Sequence, residues 1–243
     1  TVTDPENTYP KRIKRAIRLF FNPAENELEK QLVGKGIACE HSDELYREAA
    51  AATAVIQTEE GFGAGVFIGP ELIVTAKHVV DGKKIKARIP KMRDDDLAQP
   101  GESIPVDPVI RIEVLDLAFV IVRGTHRDWL PLGPLTEEND LMVVGHPSGK
   151  YYSLQKARIK KKRRAETSPY LYFKDNEVFF GNSGGTIINC NGELMGVVSM
   201  MSNFDNSLRK EGIGINARTI LDYARRLNLK LPKSSLVGKG LEP

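Results

Sequence analysis

The sequence predicts a mainly β protein that carries a helical extension at its N-terminus and one helix close to its C-terminus. From residue 53 onward, short apolar runs alternate with glycine, proline and charged residues, a pattern typical of a sandwich or barrel of many short strands. Residues 1–51 show helical spacing of apolar residues instead. At 243 residues, the chain can bury the core of one β-rich enzyme domain or of two small packed barrels.

The N-terminal extension contains a basic segment with the spacing of an amphipathic helix. Ile13, Ile17 and Phe20 share one face of this helix, and basic residues surround the other face. We expect the apolar face to pack on the β-domain, although a basic amphipathic helix also suits a membrane surface or nucleic acid. Ser42 is predicted to be the N-cap of a later helix in the same extension.

The candidate strands follow one another along the rest of the chain as ATAVIQ, GVFI, LIVTA, KIKARI, VIRIEV, LAFVIV, LMVVG, YLYF, GTIIN, LMGVVSM and GIGIN. Residues 90–108, between the fourth and fifth of these runs, are predicted to be an exposed connection. A closing helix is predicted at residues 219–229, where Thr219 and Asp222 would form a capping box. Residues 232–243 are predicted to be a frayed tail.

The composition argues against several classes of function. No run approaches the ~18 apolar residues that a membrane span needs, and the first residues lack the apolar core of a signal peptide. A net charge of +3 is too small to argue for a nucleic-acid partner. Cys39 and Cys190 are far apart, so two free thiols are favoured over one disulfide. Only His41 lies near Cys39, so no metal site is predicted, and no cofactor is expected.

The segment GNSGG, residues 181–185, is the first candidate for catalytic chemistry. The hydroxyl of Ser183 would attack a substrate only if a base removed its proton and donors stabilised the resulting oxyanion. Glycines allow a tight turn whose amides point at one position, and the amides of Gly181 and Ser183 would be those donors. Glycine-rich segments with a serine are also common in ordinary turns, so the motif alone fits a structural role equally well.

His78 is the candidate base, because it follows the apolar run LIV in LIVTAKH. A histidine just beyond a strand end can project into a cleft and accept a proton near neutral pH. His146, in GHPSG after the run LMVVG, is the competing candidate. His41 and His126 have charged, loop-like surroundings that favour solvent exposure.

Asp116 is the candidate carboxylate that would orient the imidazole and stabilise its charged form. It lies between the apolar runs VIRIEV and LAFVIV, where burial of an unpaired carboxylate would be costly. An exposed aspartate in a turn between two strands is the simpler alternative. However, His78, Asp116 and Ser183 occur in this order, each at the margin of a predicted strand. That order distinguishes the chymotrypsin type of triad from the other triad folds.

Residues 52–229 resemble the HtrA/Deg branch of the trypsin-like serine proteases, and bacterial glutamyl endopeptidases share parts of the pattern. The matching stretches are GFGAGVFIGPELIVTAKHVV, VLDLAFVIV, GNSGGTIINCNGELMGVVSM and GIGIN followed by a helix. The resemblance implies a chymotrypsin-like double six-stranded β-barrel, with barrels at about 52–130 and 131–217 of a protease domain spanning 52–231. HtrA proteins carry a PDZ domain after the protease, and we expect none here.

The resemblance also implies roles for individual residues. The amides of Gly181 and Ser183 match an oxyanion hole. Ser199 would lie near the buried acid, at the start of a segment that pairs with the substrate backbone by strand addition. Gly214 would form a wall of the primary specificity pocket. Glu177 would lie near the floor of that pocket and favour basic side chains, or would point to solvent instead.

The predicted function is therefore a serine endopeptidase that cleaves protein or peptide substrates through a Ser-His-Asp triad and an acyl-enzyme. The alternative is a catalytically silent or regulated peptide-binding module of the same fold. The basic run at residues 156–164 suits an acidic or nucleic-acid partner, although a solvated hairpin is favoured. The resemblance favours an extracytoplasmic location, and the sequence specifies no oligomeric state.

Overall fold

The computed structural model describes residue 39 and residues 41–95, 97–123, 128–134, 140–159, 168–174, 181–202 and 211–232. Several sequence predictions fall on residues outside these ranges. They concern the first amphipathic helix with Ile13, Ile17 and Phe20, the candidate pocket residue Glu177, the exposure of His126, the basic residues 160–164 and most of the C-terminal tail.

The described chain contains two α-helices, α1 (Ser42–Ala51) and α2 (Ala217–Arg226), and strands between them. The strands are β1 (Thr53–Gln57), β2 (Phe62–Gly69), β3 (Leu72–Thr75), β4 (Lys86–Met92), β5 (Ala98–Pro105), β6 (Val109–Ile112), β7 (Leu117–Ile121), β8 (Asp140–Gly145), β9 (Ser153–Ile159), β10 (Tyr170–Lys174), β11 (Thr186–Ile188), β12 (Leu194–Ser202) and β13 (Glu211–Asn216). None of the described helices is both long and apolar enough to cross a membrane.

The strands form two antiparallel units that follow one another along the chain. The first is a seven-stranded sheet in the order β5-β4-β1-β2-β3-β7-β6, and the second is a closed six-stranded barrel in the order β10-β13-β12-β11-β8-β9. Closing a sheet into a barrel leaves no unpaired edge. The predicted mainly β class and the chymotrypsin-like arrangement of two β units are confirmed. The first unit has seven strands in the described residues, where the resemblance implied six.

Burial explains why the two units pack together. The first sheet and the second barrel each have an apolar cluster of their own. A larger cluster joins residues of both units and of the two helices, including Val66 of β2, Val144 of β8 and Ile220 of α2. Burial of apolar area is the main driving force for such packing. The halves therefore share a core, and loops at their junction can meet at one site.

Two strands were missed by the sequence prediction. Residues 90–108, predicted to be an exposed connection, contain β5, whose residues are all at least partly exposed. β5 lies at the edge of its sheet, where Pro100 and Gly101 are tolerated because one side of the strand needs no partner. β9 includes part of the basic run, and its buried residues Leu154 and Ala157 are separated by polar ones. Neither strand shows a clear apolar alternation in the sequence.

The helix ends also differ from the predicted ones. Helix α1 starts at Ser42 itself, and the preceding His41 has left-handed backbone geometry at the N-cap position. Helix α2 is capped by Asn216, whose side-chain oxygen accepts a hydrogen bond from the Thr219 amide at 2.8 Å. The predicted capping box of Thr219 and Asp222 was therefore wrong, because Asn216, three residues earlier, fulfils the capping role.

Cys39 and Cys190 form a disulfide, with an Sγ–Sγ distance of 2.04 Å. The prediction of two free thiols was therefore wrong. The bond joins the chain just before α1 to the turn between β11 and β12, across 151 residues of sequence. Helix α1 packs on that turn, since a Cβ on Gly192 would lie 3.3 Å from Leu45 Cδ2. The separation of the two cysteines along the sequence could not indicate that they lie close together in the folded protein.

Candidate active site

His78 lies in a single 3-10 turn, Lys77–Val80, that directly follows β3. Val79 and Val80 are buried in the core of the first sheet, whereas the side chain of His78 is 49% exposed. Arg111 of β6 donates a hydrogen bond from Nε to the Val80 carbonyl oxygen at 3.1 Å. The apolar anchors and this bond hold the turn so that the imidazole points away from the core.

Asp116 ends the turn between β6 and β7, and its side chain is 16% exposed. Its Oδ2 lies 2.8 Å from His78 Nδ1, and its Oδ1 accepts a hydrogen bond from the His78 backbone amide at 3.0 Å. The hydroxyl of Ser199 donates to Oδ2 at 2.6 Å. A carboxylate with these partners keeps the proton of the neutral imidazole on Nδ1, so Nε2 remains free to accept one.

These contacts shift the pKa values of His78 and Asp116 in the directions that favour an ion pair between them. The hydrogen bond with Asp116 raises the pKa of His78, even though partial burial acts in the opposite direction. Burial alone would raise the pKa of Asp116, but the hydrogen bonds from His78 and Ser199 outweigh it and lower that pKa. A carboxylate that stays charged stabilises the imidazolium that forms when His78 accepts a proton.

Ser183 lies in the turn that precedes β11 of the second barrel, and this turn needs glycine at residues 181 and 184. Gly184 has a positive φ of 77°, and a Cβ there would overlap the Ala64 carbonyl oxygen of β2. Gly181 has a φ of 98°, and a Cβ there would overlap the His146 carbonyl oxygen. The Ala64 amide donates to the Ser183 carbonyl oxygen at 2.8 Å. The turn is thereby fixed to both halves of the molecule, which a side chain at either glycine would prevent.

His78, Gly181 and Ser183 line one cavity of about 470 Å³. The structure therefore brings together the candidate base, the candidate nucleophile and one candidate oxyanion donor. The hydroxyl of Ser183 makes no hydrogen bond to His78 within the described chain. Such bonds are often long in enzymes without substrate and shorten when the substrate binds.

Neither of the two described candidates for substrate binding, Ser199 and Gly214, lines this cavity. Ser199 occupies a bulge in β12, where the pairing with β13 passes from Val198↔Gly214 to Met200↔Ile213. A bulge redirects a side chain, and here Ser199 contacts Asp116. Gly214 lies in β13, and a Cβ there would lie 2.7 Å from Ile187 Cδ1. Gly214 does not line the cavity that holds His78 and Ser183.

His146, the competing base candidate, lies at the end of β8 and is fully buried. Its Nδ1 accepts a hydrogen bond from the Tyr152 amide at 3.1 Å, and its Nε2 lies 3.3 Å from the Ala54 carbonyl oxygen. Burial lowers its pKa to about 4. Because both ring nitrogens are engaged inside the protein, His146 has no free nitrogen for a substrate. His41, by contrast, is exposed, as predicted.

Two residues at the site were not singled out from the sequence. Arg111, which holds the turn of His78, is a cation inside the apolar run VIRIEV, and that unusual position was the available signal. Phe62 lines the cavity although 40% of its surface is exposed. Its only signal was an aromatic residue between two glycines. The described residues contain no group of three His, Cys, Asp or Glu side chains placed to hold a metal ion.

The fold and the site define a chymotrypsin-fold protein with a histidine, an aspartate and a serine at the junction of two β units. Residues 63–197 match the family model described as a trypsin-like peptidase domain. The chain belongs to this family, and the resemblance to trypsin-like serine proteases is confirmed. A comparison with curated protein sequences gives no match.

Solved structures of proteases share the fold. The serine endoprotease from Yersinia pestis has a TM-score of 0.63 at 21% identity, over 77% of this chain and 67% of that one. The active form of the Rv3671c protease from M. tuberculosis has a TM-score of 0.62 at 20% identity, over 82% of this chain and 88% of that one. An inactive mutant form of Rv3671c from strain H37Rv has a TM-score of 0.61 at 18% identity, over 82% and 97% of the two chains. Family and fold together support a serine protease that acts on proteins or peptides.

Proposed function

We propose that the protein is a serine endopeptidase in which His78, Asp116 and Ser183 act as the catalytic triad. The observation that carries the proposal is the contact between Asp116 and His78. The carboxylate is bonded to both the ring Nδ1 and the backbone amide of the same histidine. This double contact selects one tautomer and one ring orientation, and the same histidine lines a cavity with Ser183.

The proposed reaction is acyl transfer in two steps. Ser183 Oγ attacks the peptide carbonyl carbon while His78 Nε2 takes the hydroxyl proton, and His78 then returns this proton to the leaving nitrogen as the C–N bond breaks. Water attacks the resulting ester in the same way and releases the acid. The amides of Gly181 and Ser183 would stabilise the oxyanion in both steps, and Asp116 would stabilise the imidazolium.

Substrate binding on the acyl side follows from the same proposal. The substrate backbone would add as a strand to the segment that starts at Ser199, so that main-chain hydrogen bonds supply affinity. Gly214 would form a wall of the pocket for the residue before the scissile bond, and Glu177 would favour a basic side chain there. This arrangement is the one that we would expect if the protein belongs to the HtrA-like branch of the family.

An extracytoplasmic location belongs to the proposal as well. The disulfide between Cys39 and Cys190 supports it, because disulfides persist mainly in oxidising compartments. Thiol alkylation in lysed cells that express the native gene, followed by mass analysis, tests this point. Quantitative alkylation of both cysteines before reduction would contradict it.

Replacement of the nucleophile tests the proposed activity. Ser183→Ala should lower the turnover of a denatured protein substrate by roughly 10⁴–10⁶-fold, and it should abolish labelling by a fluorophosphonate. Ser103→Ala, which removes an exposed serine from the edge strand β5, is the matched control and should change neither. Wild-type protein that is no faster than Ser183→Ala and takes up no label would overturn the proposal.

A second candidate function is a peptide-binding module that does not hydrolyse its ligand. It applies if Ser183 and His78, which are not hydrogen bonded in the described structure, stay apart when a peptide binds, because proton transfer needs that hydrogen bond. Equal binding of a peptide library to the wild type and to Ser183→Ala, with no cleavage by either, would support this alternative.

A further inference from the structure

We infer that the cavity beside His78 binds the residue on the leaving-group side of the scissile bond and selects a bulky apolar side chain there. The inference rests on the proposed function, since it assigns part of the substrate to a cavity of the same site. It concerns a specificity that the sequence did not predict.

The position of the cavity relative to His78 indicates which part of the substrate it receives. In the proposed reaction, His78 must donate its proton to the leaving nitrogen, so the leaving half of the peptide has to pass along the imidazole. The residues that line the cavity include His78, Val79, Gly181 and Phe62. No described residue of β12 or β13, the strands assigned to the acyl half, lines it.

The cavity has one aromatic lining residue, Phe62, whose surface is 40% exposed. Tyr151 does not line the cavity, but it is also 40% exposed, and its ring centroid lies 6.1 Å from that of Phe62. Phe62 also lies against the nucleophile turn, since a Cβ on Gly181 would come 3.0 Å from Phe62 Cε2. An exposed aromatic pair beside a cleft, which the core does not require, gains free energy when an apolar group covers it.

Val79 is the second apolar side chain of the cavity, and the other described lining residues are glycines, Thr58, Ser148, Ser183, His78 and Glu60. Val79 is also packed in the core of the first sheet, which fixes its position. Glu60 is the one carboxylate among the described lining residues, and it is exposed to solvent. A solvated surface carboxylate contributes little to binding. Phe62 and Val79, not Glu60, should therefore decide which side chain is accepted.

Acyl transfer to added amines measures this specificity directly. With 4-nitrophenyl acetate as the acyl donor, acetyl-Ser183 reacts either with water or with an amino acid amide. In the second case a C–N bond forms, the ester C–O bond breaks, and His78 transfers the proton of the amine to Ser183 Oγ. The amine occupies the leaving-group position, and the ratio of amide product to acetate does not depend on how fast the acyl-enzyme forms.

The full-length chain should transfer acetyl to leucinamide and phenylalaninamide about tenfold more efficiently than to glycinamide. Phe62→Ala should reduce this preference to about twofold, and Phe62→Leu should retain most of it. Leu227→Ala, which removes a similarly exposed apolar side chain beyond α2, is the matched control and should leave the preference unchanged. Each ratio is read by mass spectrometry of the products.

The outcomes separate this inference from the proposed function. A burst of 4-nitrophenol that depends on Ser183, with equal transfer to all amides, would be consistent with the proposed endopeptidase function. It would overturn the inferred selection of apolar side chains. Preferential transfer to argininamide that is lost in Glu60→Gln would also overturn it, because charge would then govern the cavity. Absence of a burst that depends on Ser183 would overturn the proposed function, and the inference with it.

Discussion

His78 and His146 follow strands of the two β units, yet their surroundings give them opposite properties. His78 is half exposed and bonded to the carboxylate of Asp116, and its pKa is raised. His146 is fully buried between the Tyr152 amide and the Ala54 carbonyl oxygen, with no charged group among the causes that shift its pKa, which is lowered to about 4. A carboxylate partner can outweigh desolvation, whereas burial without one keeps an imidazole neutral.

The comparison shows how one residue type can supply both the proposed proton carrier and a structural link. Protonation of His78 is stabilised in place by Asp116. Protonation of His146 would place a hydrogen on Nδ1, which now accepts the bond from Tyr152, and would leave an unpaired buried charge. The backbone of His146 contacts the Gly181 turn, with its amide 3.3 Å from the Gly181 carbonyl oxygen. His146 therefore supports the site without taking part in proton transfer.

The largest expected effect comes from removing the charge that distinguishes the two histidines. Asp116→Asn should lower kcat by roughly 10⁴-fold, because the amide no longer fixes the reactive tautomer or stabilises the imidazolium. The measurement is the hydrolysis rate of a casein-type substrate, with the unfolding curve as a check on folding. Activity within tenfold of the wild type would remove Asp116 from the triad.

The next largest effect is expected on the stability of the fold in acid, and it tests the difference between the two histidines through His146. In the unfolded chain His146 takes up a proton near pH 6.5, but in the folded protein it does so only near pH 4. Between these two pH values the unfolded chain therefore binds more protons than the folded protein. The free energy of unfolding should fall by roughly 3 kcal/mol from pH 6.5 to pH 4.

His146→Asn tests this assignment, because the asparagine oxygen can accept the bond from Tyr152 and does not titrate. The measurement is urea unfolding at pH 6.5 and at pH 4 for both proteins, so that other titrating groups cancel in the difference. His78 contributes with the opposite sign, because its raised pKa stabilises the fold at low pH. An equal loss of stability in the wild type and in His146→Asn would contradict the role given to His146.

The pH dependence of activity should follow His78 alone. The reaction needs a neutral imidazole, and the hydrogen bond with Asp116 raises the pKa of His78 above 6.5. The value of kcat/KM should therefore fall about tenfold for each pH unit below that raised pKa. The pH profile of fluorophosphonate labelling is an independent measurement. An acid limb near pH 4 would instead point to His146, and it would break the comparison.

The smallest effect is expected at the second donor to Asp116. Ser199→Ala removes the hydroxyl that donates to Oδ2 at 2.6 Å, while the two bonds from His78 remain. The carboxylate keeps its orientation, so kcat should fall by roughly tenfold or less. Ser199→Thr retains the hydroxyl and should recover most of the loss. A decrease as large as that of Asp116→Asn would mean that Ser199 has a direct role in the reaction.

The mainly β class could be predicted because buried strands of this chain are continuous apolar runs such as LIV and LAFV. β5 could not be predicted, because its residues are at least partly exposed and its pairing uses backbone atoms, which every residue carries alike. The disulfide was missed for a related reason. Cys39 and Cys190 become neighbours only when α1 packs on the second barrel.

The order of His78, Asp116 and Ser183, and the glycines around the serine, were determined by the sequence, because backbone geometry and proton transfer each require particular residue types. Tertiary structure decided which histidine is buried, which carboxylate contacts the imidazole and where the exposed ring of Phe62 lines the cavity. These properties depend on desolvation and on distances of a few ångströms between atoms far apart in the chain. The contact of His78 with Asp116 forms within the first sheet, whereas the contact of His146 with Ala54 forms only once the two β units have packed together.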